Sequence, residues 1–279
     1  MDLVIQAPHL APDDIGALAA LTGADGVEPL VRAANDAVRL HDVESDAGVA
    51  EACAAAGYDV ARVDAAQTLA RVRLVALDMD STLISIECVD EIADAQGIKP
   101  QVAAITAQSM RGEIDFAESL RRRVALLAGV PADALQRIYD ERLRLSPGAD
   151  TLLAVLHAQR TRTLLLSGGF TFFTDRLRAR LQLSAALSNT LEIVDGHLTG
   201  QLVGDMVDAE AKARELCEWS VDAHAGGGLV VAIGDGANDL PMFAAADVSI
   251  AWHAKPVVRA RATHAIDHCG LDAVLNLFA

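Results

Sequence analysis

Leu74, Val75, Ala76 and Leu77 form a short apolar run with no helical period, and Asp78-Met79-Asp80-Ser81-Thr82 follows at once. A run of this kind reads as a strand buried on both faces, as in a parallel sheet covered by helices. The chain therefore delivers two carboxylates, spaced i and i+2, to the point where it leaves a buried sheet. Open α/β sheets bind ligands at the carboxyl ends of their strands. A carboxylate pair there serves a metal site, a nucleophile with its acid/base partner, or both. Taken alone, the same residues also fit a helix cap, with Ser81 and Thr82 as turn formers.

Other segments repeat the pattern. Residues 163–166 read as a second buried strand, ending in Ser167-Gly168-Gly169. Residues 229–233 read as a third, ending in Gly234-Asp235-Gly236-Ala237-Asn238-Asp239, and 248–251 as a fourth. Helices are predicted over 149–159, 171–181, 209–219 (which carries Lys212), 241–246 and 271–278. Residues 191–203 alternate around Asp195-Gly196, a hairpin turn signal. Strands alternating with helices imply parallel pairing in an α/β, doubly wound sheet.

Residues 85–145 read as a helical insertion between the first two of these strands, with helices over 86–95, 100–110, 115–128 and 131–143. In the third of these, Phe116, Leu120, Val124 and Leu127 share one face. Residues 1–70 read as a small N-terminal α+β domain without an assigned role. It has strands at 3–5 and 58–63 and helices at 12–21 and 47–56, the latter stopped by Gly57. Residues 64–71 tether it to a main domain spanning 71–279.

Of the 279 residues 52% are apolar, enough for a full core. The formal charge, 23 − 39 = −16, opposes non-specific binding to nucleic acid or anionic membrane. A phosphate substrate would require the site to supply local positive charge. Cys53, Cys88, Cys217 and Cys269 show neither CxxC nor zinc-finger spacing and read as reduced thiols of a cytoplasmic protein. The N-terminus lacks the basic and long apolar regions of a signal peptide. No apolar stretch approaches the ~20 residues of a membrane span.

Parallel strands would bring Asp78/Asp80, Ser167-Gly168 and Asp235/Asn238/Asp239 to one sheet edge. Four unpaired aspartates there repel one another. A divalent, oxygen-preferring cation removes that cost, and Mg²⁺ takes one or two carboxylates plus waters and substrate phosphate. Lys212 is the candidate counter-charge for a bound anion. A dinucleotide loop is excluded, because G-x-G-x-x-G requires glycine where Asp239 stands.

Leu77-Asp78-Met79-Asp80-Ser81-Thr82, Leu166-Ser167-Gly168-Gly169-Phe170, Lys212 and Gly234-Asp235-Gly236-Ala237-Asn238-Asp239 resemble the four motifs of the haloacid dehalogenase superfamily. The insertion, with Ile86-Glu87-Cys88-Val89-Asp90-Glu91 and Met110-Arg111-Gly112-Glu113-Ile114-Asp115-Phe116, is similar to that of the bacterial phosphoserine phosphatase family. The likeness runs from about residue 74 to 259. It implies Mg²⁺-dependent hydrolysis of O-phospho-L-serine, the last step of serine synthesis, by a cytoplasmic enzyme that acts on a small molecule and admits a homodimer.

The resemblance assigns Asp78 as nucleophile and Asp80 as acid and then base. Asp78, Asp235, the backbone carbonyl of Asp80, and Asp239 (through water, unless it orients Lys212) would serve the metal. Ser167, Gly168, Lys212 and Asn238 would hold phosphoryl oxygens. Glu87 would pair with the substrate ammonium and Arg123 with its carboxylate, under a lid of Met110 and Phe116. Arg123, two turns after Phe116 on an apolar stripe, needs an anionic partner, either the substrate or Glu118 or Glu113. A rival class is a receiver-like module that holds its phosphate; such a module has no use for an acid/base at position 80.

Overall fold

The computed structural model describes residues 1–279. Its first 63 residues build β1 (Asp2–Ala7), α1 (Pro12–Thr22), β2 (Gly26–Leu30), β3 (Asp36–His41), α2 (Val49–Ala56) and β4 (Asp59–Val63). The four strands form an antiparallel sheet in the order β2-β3-β1-β4. Leu3, Ile5, Val38 and Leu40 meet α1 and α2 in a small core of their own. Gly57 ends α2 at φ 74°, a left-handed conformation open to glycine without strain. The strand pattern in the sequence does not predict β2 and β3. Pro29 and Glu28 interrupt the first, which the sheet tolerates because β2 is an edge strand. Arg39, buried, interrupts the second.

The second sheet begins with β5 (Val72–Leu77). The insertion follows as α3 (Cys88–Ala95), α4 (Lys99–Met110), α5 (Phe116–Ala125) and α6 (Asp133–Glu141). Then come α7 (Ala149–Ala158), β6 (Arg162–Phe170), α8 (Thr171–Leu181), β7 (Ala185–Val194), β8 (His197–Val203), α9 (Ala209–Ala225), β9 (Leu229–Gly234), α10 (Leu240–Ala244), β10 (Val248–Trp252), α11 (Pro256–Arg259) and β11 (His264–Ile266). The sheet order is β11-β10-β9-β5-β6-β7-β8, all parallel except the β7–β8 hairpin.

β5 lies in the middle of this sheet, and its residues divide by parity as a doubly buried strand requires. Val75 and Leu77 join the larger core, with Leu152 and Leu156 of α7. Leu74 and Ala76 join the opposite core, with Leu216 of α9 and Met242 of α10. The hairpin ties the insertion down: Gly129 N donates to Leu198 O, and Leu198 N donates to Val130 O, both at 2.8 Å. Gly200, at φ 83°, lets α5 approach, since a Cβ there would lie 3.1 Å from Ala125 O at its end.

The expected terminal α-helix at 271–278 is instead a 3₁₀ segment, Leu271–Leu277, buried along its whole length. It is the layer between the two sheets. Leu271, Val274, Leu275 and Phe278 share the larger core with Val4, Leu30, Ala37 and Val63 from the open face of the first sheet. Several of its polar groups are paired across the same boundary. Asp272 accepts from Ala34 N (2.7 Å), Asn276 Nδ2 donates to Gln6 Oε1 (2.9 Å), and Gln67 Nε2 donates to Leu277 O (2.8 Å). No helix is long and apolar enough to cross a membrane. All four cysteines are unpaired, and three are buried.

Candidate active site

β9, β5 and β6 are neighbours, so their C-terminal ends open side by side into one cavity of about 600 Å³. Asp78, Asp80, Glu87, Met110, Phe116, Arg123, Ser167, Gly168, Asp235 and Asn238 all line it. Lys212 and Asp239 stand behind its wall, buried. All twelve residues singled out in the sequence thus belong to one region, ten on the surface of the cavity and two beneath it.

At the floor, Asp78, Asp235 and Asp239 each place a carboxylate oxygen within 4.8 Å of the others. Three hard oxygen donors at this spacing fit a divalent cation such as Mg²⁺ and suit no soft metal. Lys212 sits in the first turn of α9, whose start is capped by the Asp208 side chain accepting from Ala211 N. Its Nζ donates to Asp78 Oδ1 at 2.7 Å and to Asp239 Oδ1 at 2.9 Å. Asp78 Oδ1 also accepts from Met79 N at 2.7 Å, which leaves Oδ2 without a protein donor. Both oxygens of Asp239 are engaged, because Oδ2 accepts from Gly236 N at 3.0 Å. Burial, reinforced by Asp239, pushes the Asp78 carboxyl up, and Lys212 opposes this. Burial and Asp239 raise Asp235 to about 6, while Thr82 Oγ1, donating to Asp235 Oδ1 at 3.0 Å, pulls it down.

The Asp80 carboxylate stands apart from this cluster. Its Oδ1 accepts from Cys88 N at the start of α3, at 3.1 Å. Burial, with Glu87 adding to it, pushes Asp80 to about 7. The turn that follows holds Ser81 at φ 55°, and Ser81 Oγ donates to Glu87 Oε1 at 2.7 Å. Glu87 opens onto the cavity yet is enclosed by surrounding protein, which raises its carboxyl. Ser81, Arg123 and Lys255 counter the effect.

Ser167 Oγ accepts from Gly169 N at 2.9 Å, so the loop after β6 turns back on its own hydroxyl. Phe116 closes on that loop: a Cβ at Gly168 would sit 2.9 Å from its Cζ. A Cβ at Gly169 would meet Asp80 Oδ2 at 2.9 Å. Arg123 projects into the cavity from α5, half-buried, with Nε donating to Ser119 O at 3.4 Å. The internal partners open to it in the sequence are taken, Glu118 by Arg122 at 2.7 Å and Glu113 by Arg111 at 2.5 Å. Burial lowers the Arg123 pKa, against the pull of Glu87, Asp90 and Asp80.

Sequence reasoning misses three residues here. Thr82 reads as a turn former but orients Asp235. Asn189 of β7, buried, donates to Gly168 O at 2.9 Å and accepts from Val207 N at 2.8 Å, fixing the loop after β6. Its only signal is a polar residue in an otherwise half-apolar strand. Lys255, after β10, lines the cavity and belongs to no motif.

The model of the haloacid dehalogenase-like hydrolases matches residues 75–244, and a second of the same description matches 216–278. A domain of unknown function matches residues 3–49. A phosphoserine phosphatase of Polaromonas sp. is 52% identical over 210 residues, covering 74% of this chain and 89% of that protein. The crystal structure of a haloacid dehalogenase-family hydrolase from Salmonella enterica serovar Typhi superposes with a TM-score of 0.88 at 33% identity, covering 100% of this chain and 99% of that one. The crystal structure of a probable phosphoserine phosphatase from Vibrio cholerae gives 0.83 at 37% identity, covering 99% and 85%. The chain belongs to the haloacid dehalogenase-like hydrolases and, within them, to the phosphoserine phosphatase family.

Proposed function

We propose that this enzyme hydrolyses O-phospho-L-serine to L-serine and phosphate through an aspartyl-phosphate on Asp78, with Mg²⁺ as cofactor, as a cytoplasmic step that completes serine synthesis. The observation that carries the reading is the polarity of this cavity. Carboxylates backed by a buried lysine form its floor, and Glu87 and an unpaired Arg123 lie together further out. Residues 71–279 are the catalytic unit in this reading, with 85–145 as its cap. Residues 1–70 form a small N-terminal α+β domain to which this reading assigns no role.

Asp78 attacks phosphorus through Oδ2, the oxygen that no protein group engages, and the bond from phosphorus to the seryl oxygen breaks. Asp80, held near neutrality by burial, gives its proton to that oxygen. As a carboxylate it then takes a proton from the water that attacks the aspartyl-phosphate and frees phosphate. The Ser167 hydroxyl, the Gly168 amide and Asn238 hold phosphoryl oxygens, and Lys212, behind the floor, contributes its positive charge through Asp78. Asp78, Asp235 and the Asp80 backbone carbonyl would hold Mg²⁺, with Asp239 acting through water or through Lys212; both Asp239 oxygens are already hydrogen-bonded, which supports the indirect role. Bound there, the cation screens the carboxylates from the phosphate and stabilises charge in transfer. Glu87 receives the ammonium and Arg123 the carboxylate, while Met110 and Phe116 exclude water. Asp80 also argues against a phosphate-retaining module, since a positioned acid/base shortens the life of the phosphoryl-aspartate.

With Mg²⁺ the protein releases phosphate from O-phospho-L-serine, and EDTA stops it. Asp78→Asn abolishes turnover, and phosphorus-labelled substrate transiently labels Asp78. Normal rates in that variant would exclude the mechanism. Arg123→Ala raises KM for phosphoserine far more than for p-nitrophenyl phosphate; equal effects would place amino-acid recognition elsewhere.

A further inference from the structure

An anionic substrate meets a hostile cavity. Five of its lining side chains are carboxylates and two are cations, Arg123 and Lys255. Lys212 does not line it, being buried between Asp78 and Asp239. The chain's salt bridges occupy Arg111, Arg121, Arg122 and Arg142 of the insertion but neither Arg123 nor Lys255.

The two free cations come from opposite walls. Arg123 belongs to α5 of the insertion, and Lys255 precedes α11 at the carboxyl end of the second sheet. Both act electrostatically on Glu87. The cation felt by Asp78 and Asp235 at the floor is Lys212. Lys255 thus lines the same cavity as Glu87 and Arg123, on the side of the sheet. In an α-amino acid the ammonium and carboxylate share one carbon, so a group that receives the carboxylate must lie beside the group that receives the ammonium.

We propose that Lys255 is a second binding group for the substrate's α-carboxylate, closing on it from the sheet side opposite Arg123. This rests on the phosphoserine reading of the site. The charge on each wall then makes the carboxylate a bridge between insertion and sheet, so that only a substrate bearing it draws the two together. Lys255 is exposed and forms no salt bridge, so the fold does not depend on it.

The test compares O-phospho-L-serine with O-phosphoethanolamine, which keeps the phosphate and ammonium but lacks the carboxylate, scored as substrate or as competitive inhibitor. Lys255→Ala raises KM for phosphoserine roughly three- to tenfold, as expected for one charge-assisted contact, and leaves kcat within about twofold. The constant for phosphoethanolamine moves by less than about twofold. Lys255→Arg restores the phosphoserine KM, and raising salt narrows the gap between Lys255→Ala and wild type. Equal losses on both ligands would assign Lys255 to the phosphate and overturn the proposal, as would an unchanged KM. A wild-type protein inactive on phosphoserine would instead refute the underlying function.

Discussion

Replacing Lys212 by Met in metal-free protein removes the only cation buried between Asp78 and Asp239. Lys212 is 1% exposed and holds both carboxylates at hydrogen-bond distance. Without it, two carboxylates with oxygens within 4.8 Å share a nearly buried site at the cavity floor. The least costly response is to take up one proton. Neutralising a carboxyl of ordinary pKa 3.8 at pH 7 costs about 1.36 × (7 − 3.8), or ~4 kcal/mol. That value caps the penalty and falls within the ~3–5 kcal/mol expected when one partner of a buried ion pair is removed.

The sign of the pH dependence follows. The native variant holds a proton that its unfolded chain releases above pH 3.8, so its stability falls as pH rises. Relative to wild type, in which burial already pushes the Asp78 carboxyl up, the deficit is at most about 4 kcal/mol at pH 7 and at most about 2 kcal/mol at pH 5, and it vanishes near pH 4. With ~2.1 cal/mol/K of unfolding entropy per residue over 279 residues, Tm drops by up to about 7 °C at pH 7 and up to about 3 °C at pH 5. Calorimetry in EDTA at both pH values measures this. The same drop at both, or one below about 2 °C at pH 7, would refute the picture of Lys212 as the compensating charge.

Two further perturbations test other parts of the structure. Thr82→Val keeps the buried volume but removes the donor to Asp235, so divalent-metal affinity falls roughly tenfold and activity returns at saturating metal; an unchanged metal titration would contradict this. Burial lowers His264, which lies 3.0 Å from Gln67 between tether and sheet, to about 4. The unfolded chain therefore binds the proton first, and about 3 kcal/mol present above pH 6.5 is lost as pH falls to 4. His264→Asn flattens that part of the urea-midpoint profile, and parallel profiles would show that His264 is not the group responsible.

The helix and strand periods were strongest where burial is most uniform. The β5 run and the loops after β5, β6 and β9 carry their own signals, since a two-faced strand must be continuously apolar and a phosphate-handling edge must be polar. The signal failed where tertiary contacts override local pattern. β3 accommodates Arg39 because its guanidinium reaches Asn276 O across the boundary between the sheets. The segment Leu271–Leu277 reads as helix from its apolar content, yet it is packed on all sides between α7 and the first sheet and takes the tighter 3₁₀ form.

By itself, then, the amino-acid order determined which side chains could do the chemistry, because each sits at fixed spacing from a strand end, and strand ends in a parallel sheet share an edge. Only the folded chain decided how they are wired: Lys212 beneath Asp78 and not facing the cavity, Asp239 consumed by hydrogen bonds, Asp80 turned toward Cys88, and Lys255 brought to Glu87 across 168 positions of sequence. Those relations depend on distances between elements remote in the chain. Packing of the two cores sets such distances, and no local pattern encodes them.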